Sequence, residues 1–250
     1  MMELEQTKAW FIDKHFAALQ HPLKATAIKL VLISDYASRQ IERLLALLQQ
    51  DECQSLLTRE DYFKAIQQLQ LTANIGQFQR ELRHFRHWHF LRLLLLQLSN
   101  QASTEDIMRS WSDCADALIL YTLAYCKHHL SLRYGLPRDE VGNEVHCHVL
   151  AMGKLGGREL NFSSDIDLIF AFSQLGLTDG EESVSNEQFF QKMVQQFIQL
   201  LHHVTADGFV FRVDLRLRPN GDSGPLICCL DAMETYYQEQ GRDWERYAMV

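Results

Sequence analysis

Gly153-Lys154-Leu155-Gly156-Gly157-Arg158-Glu159-Leu160-Asn161-Phe162-Ser163-Ser164-Asp165-Ile166-Asp167-Leu168-Ile169-Phe170 is the stretch on which the reading of this chain turns. It sets two carboxylates one residue apart inside an apolar run. Side chains alternate across a strand, so Asp165 and Asp167 are expected on one face and Ile166 and Leu168 on the other. A bare Asp-X-Asp is most often a pair of solvated acids at a strand edge. Here an apolar strand, Val145 to Met152, leads into the glycines, and a further strand carrying another acid follows at Phe209 to Pro219. In that strand Arg212, Asp214, Arg216 and Arg218 alternate with Val213, Leu215 and Leu217, giving one ionic and one apolar face.

Working outward, the second half alternates strands with helices: strand 145–152, glycine turn and short helix 153–161, strand 164–172, an acidic loop with Asp179, Glu181 and Glu182, and helix 185–206. The Asp214 strand, a Gly/Pro turn, a short strand near 225–229 and terminal helices follow. The first half is helical throughout, with apolar residues recurring at three and four. Ser34 precedes the run Ile41, Leu44, Leu45 and Leu48; Thr58-Arg59-Glu60-Asp61 has the form of a capping box; Ser103-Thr104-Glu105-Asp106 opens a long series that Gly135 and Pro137 stop. The expected architecture is α+β, an all-helical region (1–135) packed on a catalytic unit with a small mixed sheet (136–250). Arg242 to Val250 runs off an amphipathic helix without a stop signal, so the chain reads as part of something longer.

Composition sets outer bounds. At 250 residues the chain can bury a full core, and a net charge of −8 offers no general reason to bind nucleic acid. Met1 to Gln6 lacks a signal-peptide pattern, and the run Leu91 to Leu96 is far short of the ~20 residues that span a bilayer. A cytoplasmic protein without membrane contact is expected. Cys53, Cys114, Cys126, Cys147, Cys228 and Cys229 show no C-x-x-C spacing, which fits reduced thiols without disulfides or zinc.

The acids point to metal-assisted phosphate chemistry. Mg²⁺, or Mn²⁺ in its place, takes oxygen ligands and leaves positions for water and phosphate, and Asp165, Asp167 and Asp214 on neighbouring strands can hold two such ions. Gly153 stands where a phosphate chain would approach the backbone, and Gly156-Gly157 keeps the turn open ahead of a helix amino terminus that favours anions.

This combination resembles the nucleotidyltransferase superfamily of DNA polymerase beta. The stretch Gly153 to Phe170, with Arg212-Val213-Asp214-Leu215-Arg216-Leu217-Arg218-Pro219, is similar to the family of bifunctional glutamine synthetase adenylyltransferase/adenylyl-removing enzymes. Such enzymes carry two catalytic domains, one attaching AMP to a tyrosine of glutamine synthetase and an amino-terminal one removing it by phosphorolysis. Gly221 to Leu226 and Tyr236 to Ala248 resemble the adenylyl-removing domain. Lys154 departs from the wider superfamily, where many members place serine.

The resemblance implies that Asp165, Asp167 and Asp214 bind Mg²⁺ and that inorganic phosphate attacks the AMP-tyrosyl bond, giving ADP. It implies phosphate or nucleotide contacts from Gly153, Lys154, Gly156, Gly157, Ser164, Arg216 and Arg218. The partners implied are glutamine synthetase, phosphate, ADP or ATP and, for the full-length enzyme, the PII signalling protein. Arg212 reads as structural, and Ser163, Ser164 and Asn161 serve at least equally well as caps of the turn. His146 and His148 are expected to line a sheet face near the site. His84, His87 and His89, with Arg80, Arg83, Arg86 and Arg92, read as a solvated basic face rather than a metal site. One rival is AMP transfer from ATP by the same residues; another is a non-catalytic regulatory module, against which the three intact aspartates argue.

Overall fold

The computed structural model describes residues 10–50, 54–69 and 74–248; Cys53, the amino-terminal stretch Met1 to Gln6 and the last two residues, 249–250, lie outside these. Within them the architecture is α+β. Three short helices, α1 (Lys24–Ile33), α2 (Asp35–Arg39) and α3 (Ile41–Leu47), are followed by α4 (Arg59–Gln67) and two long helices, α5 (Ile75–Leu98) and α6 (Thr104–Tyr134). Thr58 and Ser103 set the starts read for them, whereas Ser34 caps α2 and the run from Ile41 opens a separate helix, α3, behind Gln40 with no side-chain cap. Ser34 accepts the Ala37 N–H, Thr58 and Asp61 form a reciprocal capping box, and Ser103 accepts the Asp106 N–H.

A two-stranded ribbon pairs β1 (Pro137–Arg138) with β4 (Leu177–Thr178). The main sheet is built around β3 (Ile166–Phe172), with β2 (Cys147–Met152) antiparallel on one edge. β5 (Val213–Asp214) and β6 (Cys228–Cys229) lie parallel to β3, pairing with its start and its end respectively. Helix α7 (Gly153–Gly156) leads from β2 into the loop ahead of β3, and α8 (Asn186–His202), α9 (Leu230–Glu239) and α10 (Asp243–Tyr247) follow along the chain. Among the described residues no helix is long and apolar enough to cross a membrane.

Period-two alternation sorts β3 between two packings. Ile166, Leu168, Phe170 and Phe172 enter the largest apolar cluster, whereas Ile169 and Ala171 face the opposite side with Met152 and Met233. The large cluster continues without a break across residue 135, since Phe90 and Trp111 meet Phe162, and Trp111 meets Phe211.

Three expectations are corrected. The Asp214 strand covers two residues rather than eleven. Beyond it Leu215 and Arg218 are both buried, because the chain turns and the Arg218 guanidinium donates to the carbonyls of Leu215, Gly224 and Pro225. Helix α5 does not present a solvated basic face: Arg83, Arg86, His87, His89 and Arg92 are buried. Arg83 donates to the carbonyls of Gln79, Leu200, His203 and Gly208, satisfying the open end of α8. Arg92 donates to Ser55 O and Tyr62 Oη. Finally, His148 pairs with Ala171 while Met152 pairs with Asp167, so four residues of strand, about 13 Å, separate His148 from the acids.

Candidate active site

The acids are brought together by strand register. Asp167 stands directly opposite Asp214 in the parallel β3–β5 pair, at the ~4.8 Å spacing of neighbouring strands. The Ile166 N–H donates to Arg212 O at 2.9 Å, which extends the ladder backward and leaves Asp165 just ahead of β3. The end of α8 fixes the other strand, where His202 Nδ1 accepts the Val213 N–H at 3.2 Å.

Two of the three carboxylates have arginine partners. Arg212 donates through Nε to Asp165 Oδ1 and through Nη2 to Ser163 O at 2.7 Å. Asp214 accepts the Arg216 backbone N–H at 2.8 Å and is chelated by the same residue's guanidinium, with Nε to Oδ2 at 2.8 Å. The Arg216 hydrogen bond holds the Asp214 carboxyl below its ordinary pKa. Asp167 differs: among the described residues it has no hydrogen-bonding or ion-pair partner. Burial raises its pKa, and Asp214 and Asp165 raise it further as like charges. Among the described residues, no three His, Cys, Asp or Glu groups stand together as a ready-made metal cage. Arg212 and Arg216 each engage one of the flanking acids.

The glycines act at short range. Gly153 has φ +54°, and a Cβ there would meet Asp167 Oδ2 at 2.9 Å, so the absent side chain is the space into which Asp167 projects. A Cβ on Gly156 would meet Ala151 O at 2.5 Å, so this residue serves close packing of α7 on β2. The helix expected to begin after Gly156-Gly157 instead begins at Gly153 and ends at Gly156, so those glycines close a single turn and present no helix amino terminus.

From there the loop is tied to α6: Arg158 pairs with Asp113, and the Leu160 N–H donates to Ser112 Oγ at 3.1 Å. Asn161 Oδ1 accepts from the Ser163 N–H and from Ser164 Oγ, so Asn161 caps the turn, and Lys154 Nζ reaches Ser164 Oγ at 3.3 Å. The structure thus brings Gly153, Lys154, Ser164, Asp165, Asp167, Asp214 and Arg216 into one region, with Gly156 and Gly157 in the turn beneath. Arg218 is held by loop carbonyls. Arg212, read from sequence as a structural partner of the acids, pairs with Asp165. The anchors Ser112 and Asp113 carried no sequence signal, because they lie in the middle of a long helix with nothing nearby in sequence to mark their partners.

The chain matches the family described as "GlnE: Glutamate-ammonia ligase adenylyltransferase" over residues 25–250. It is 43% identical over 228 residues to the "Bifunctional glutamine synthetase adenylyltransferase/adenylyl-removing enzyme" of Shewanella oneidensis, covering 89% of this chain and 24% of that protein. It is 50% identical over 172 residues to the identically described protein of Mannheimia haemolytica, covering 68% of this chain and 18% of that protein. A third, from Thioalkalivibrio sulfidiphilus, is 45% identical over 182 residues, 73% of this chain and 19% of its own length. The chain therefore spans a quarter or less of each of these three relatives.

Proposed function

The chain belongs to the glutamate-ammonia ligase adenylyltransferase family, and from that premise we propose that it removes AMP from a tyrosine of adenylylated glutamine synthetase by phosphorolysis. The reading that accompanies it is a cytoplasmic enzyme of nitrogen regulation with a polymerase beta-like nucleotidyltransferase unit at 136–250, set on a helical frame at 1–135. In the full-length enzyme the PII signalling protein is the expected regulator. The observation that carries the catalytic part is the crowding of Asp165, Asp167 and Asp214, with Asp167 left, among the described residues, without a direct ion-pair partner beside two like charges that outweigh the more distant Arg216 and Lys154.

The donor set fits Mg²⁺ or Mn²⁺. All the donors are carboxylate oxygens, as hard cations require, and burying a lone carboxylate beside two others is costly unless a cation joins them. Asp167 and Asp214 would hold the ion, with Asp165 joining as Arg212 releases it. When bound, it supplies neutralisation of charge on the attacking and leaving oxygens.

The remaining roles fall to the chain itself. A phosphate oxygen forms a bond to the α-phosphorus as the bond from phosphorus to the tyrosyl oxygen breaks, giving ADP and a phenolate that takes a proton from solvent. Phosphate is already a nucleophile, so positioning and charge complementarity carry the catalysis and no strong base is needed. Arg216 has a 74% exposed side chain whose guanidinium, among the described residues, is held only by Asp214, so it can turn to phosphate oxygens. Lys154 adds a cation at the glycine turn. Arg218 supports the Arg216 loop from below through its carbonyl contacts.

The direction of the reaction rests on the resemblance of Gly221 to Leu226 and Tyr236 to Ala248 to the adenylyl-removing domain. The test is substrate use. Adenylylated glutamine synthetase plus phosphate is expected to yield ADP, whereas consumption of ATP with AMP transfer would reject removal in favour of attachment.

A further inference from the structure

Beside the acids lies a second feature with its own chemistry. A cavity of about 230 Å³ is lined by Arg86, Phe162, Ser163, Ser164, Phe209, Val210, Phe211 and Arg212. Its volume falls below the ~300 Å³ at which pockets for drug-sized molecules begin, so it suits a compact ligand rather than a nucleotide. Arg86 is its unusual member. The residue is only 8% exposed, has no ion pair among the described residues, and leaves its Nε without a hydrogen-bond partner. The guanidinium sits over Phe90 at 4.3 Å and near the rings of Trp111 and Phe209.

Its polar contacts are neutral ones, Nη1 donating to Tyr36 Oη at 3.2 Å and approaching His87 Nδ1 at 3.3 Å. His87 donates through Nε2 to Asp207 O at 2.7 Å, because a carbonyl can only accept, so its Nδ1 is the acceptor for Tyr36. A buried guanidinium compensated only by neutral groups is costly, and an anion would relieve it. Arg212, in the same lining, offers a second guanidinium, shared at present with Asp165.

We propose that this cavity is a binding site for a compact tetrahedral oxyanion, with inorganic phosphate as the type ligand, held between Arg86 and Arg212. An anion there competes with Asp165 for Arg212 and so loosens one of the acids described above. The site does not presuppose the reaction assigned to those acids.

The test is calorimetric titration of the protein with inorganic phosphate at fixed ionic strength and without divalent cations, with sulfate as a competitor of the same shape. One saturable site per chain is expected, displaced by sulfate and weakened at least tenfold by Arg86→Gln and by Arg212→Gln. Arg133→Gln, which removes an exposed arginine paired with Glu182, is expected to bind as the parent does. Should Arg86→Gln not fold, Arg212→Gln and the cavity-filling Phe209→Trp carry the test. Absence of saturable binding, unchanged affinity in Arg212→Gln, or loss in Arg216→Gln alone, which would place the anion at the acids, each overturns the proposal. Phosphate-dependent ADP release without this binding would remove the cavity site and leave the reaction standing; binding without ADP release would do the reverse.

Discussion

Replacing Gly153 by alanine separates what the glycine does for the backbone from what it does for Asp167. The backbone cost is that of a β-carbon at φ +54°, roughly 1–2 kcal/mol for a left-handed residue. For a chain of this size that is a fall in Tm of about 2–8 °C. The second cost is local. The new Cβ would lie 2.9 Å from Asp167 Oδ2, whereas ordinary contact begins at 3.4 Å, so the carboxylate must retreat by about half an ångström, with Asp165 and Asp214 repelling it from the far side. Misplacing a reacting group by ~1 Å can cost about a hundredfold. A shift half that size is expected to lower phosphate-dependent ADP release by roughly tenfold or more, about 1.4 kcal/mol. Gly142→Ala is the matched control: it imposes a comparable strain, φ +89°, in open space. It should lose similar stability and keep full activity. If Gly153→Ala stays within twofold of the parent, or if Gly142→Ala loses activity equally, the fit between Gly153 and Asp167 has no catalytic meaning.

Asp167→Asn should abolish ADP release while leaving Tm equal or higher, since it removes a half-buried charge repelled by two neighbours; thermal melts without divalent cation measure this, and a large Tm loss would contradict it. Arg83→Met should cost about 3 kcal/mol or more in urea unfolding, because four carbonyls, including two at the end of α8, lose a buried donor. Burial lowers the His87 pKa from 6.5 to about 4, so the folded state disfavours a proton that the unfolded chain accepts. Stability is therefore complete above about pH 6.5 and declines by up to about 3 kcal/mol as pH falls toward 4, with His89 shifted the same way by burial. His87→Gln should flatten urea midpoints compared between pH 7.5 and 5, and an unchanged slope would count against the buried assignment.

Features that depend on nearby residues were legible in the chain. Thr58 with Asp61 and Ser103 with Asp106 announced the starts of α4 and α6 because a cap is complete within four residues. The glycine at 153 and the acids at 165, 167 and 214 could be grouped because strand period and turn chemistry are local rules.

What escaped depends on contacts between segments well separated in sequence, from a few tens of residues to more than a hundred. The arginines of α5 looked solvated because nothing near them in sequence supplies partners, yet Arg83 finds its carbonyls at positions 200, 203 and 208. The alternation from 209 to 219 looked like one long strand, but only Val213 and Asp214 have a β3 partner, and the Arg218 contacts turn the chain away. Arg212, by contrast, takes the structural place its alternation suggested, as the ion-pair partner of a neighbouring acid, Asp165. His146 and His148 share the sheet with the acids, but the register puts His148 at the other end of β2.

The central claim is that the carboxylates between β3 and β5 remove AMP with phosphate as the acceptor. The most direct measurement follows adenylylated glutamine synthetase incubated with this chain, Mg²⁺ and inorganic phosphate, scoring released nucleotide and free tyrosine in parallel with Asp165→Asn, Asp167→Asn and Asp214→Asn. ADP is expected in equal amount to the tyrosine freed, dependent on phosphate and lost in each variant. Nucleotide released as AMP, release that persists without phosphate, or full activity in Asp167→Asn would contradict it.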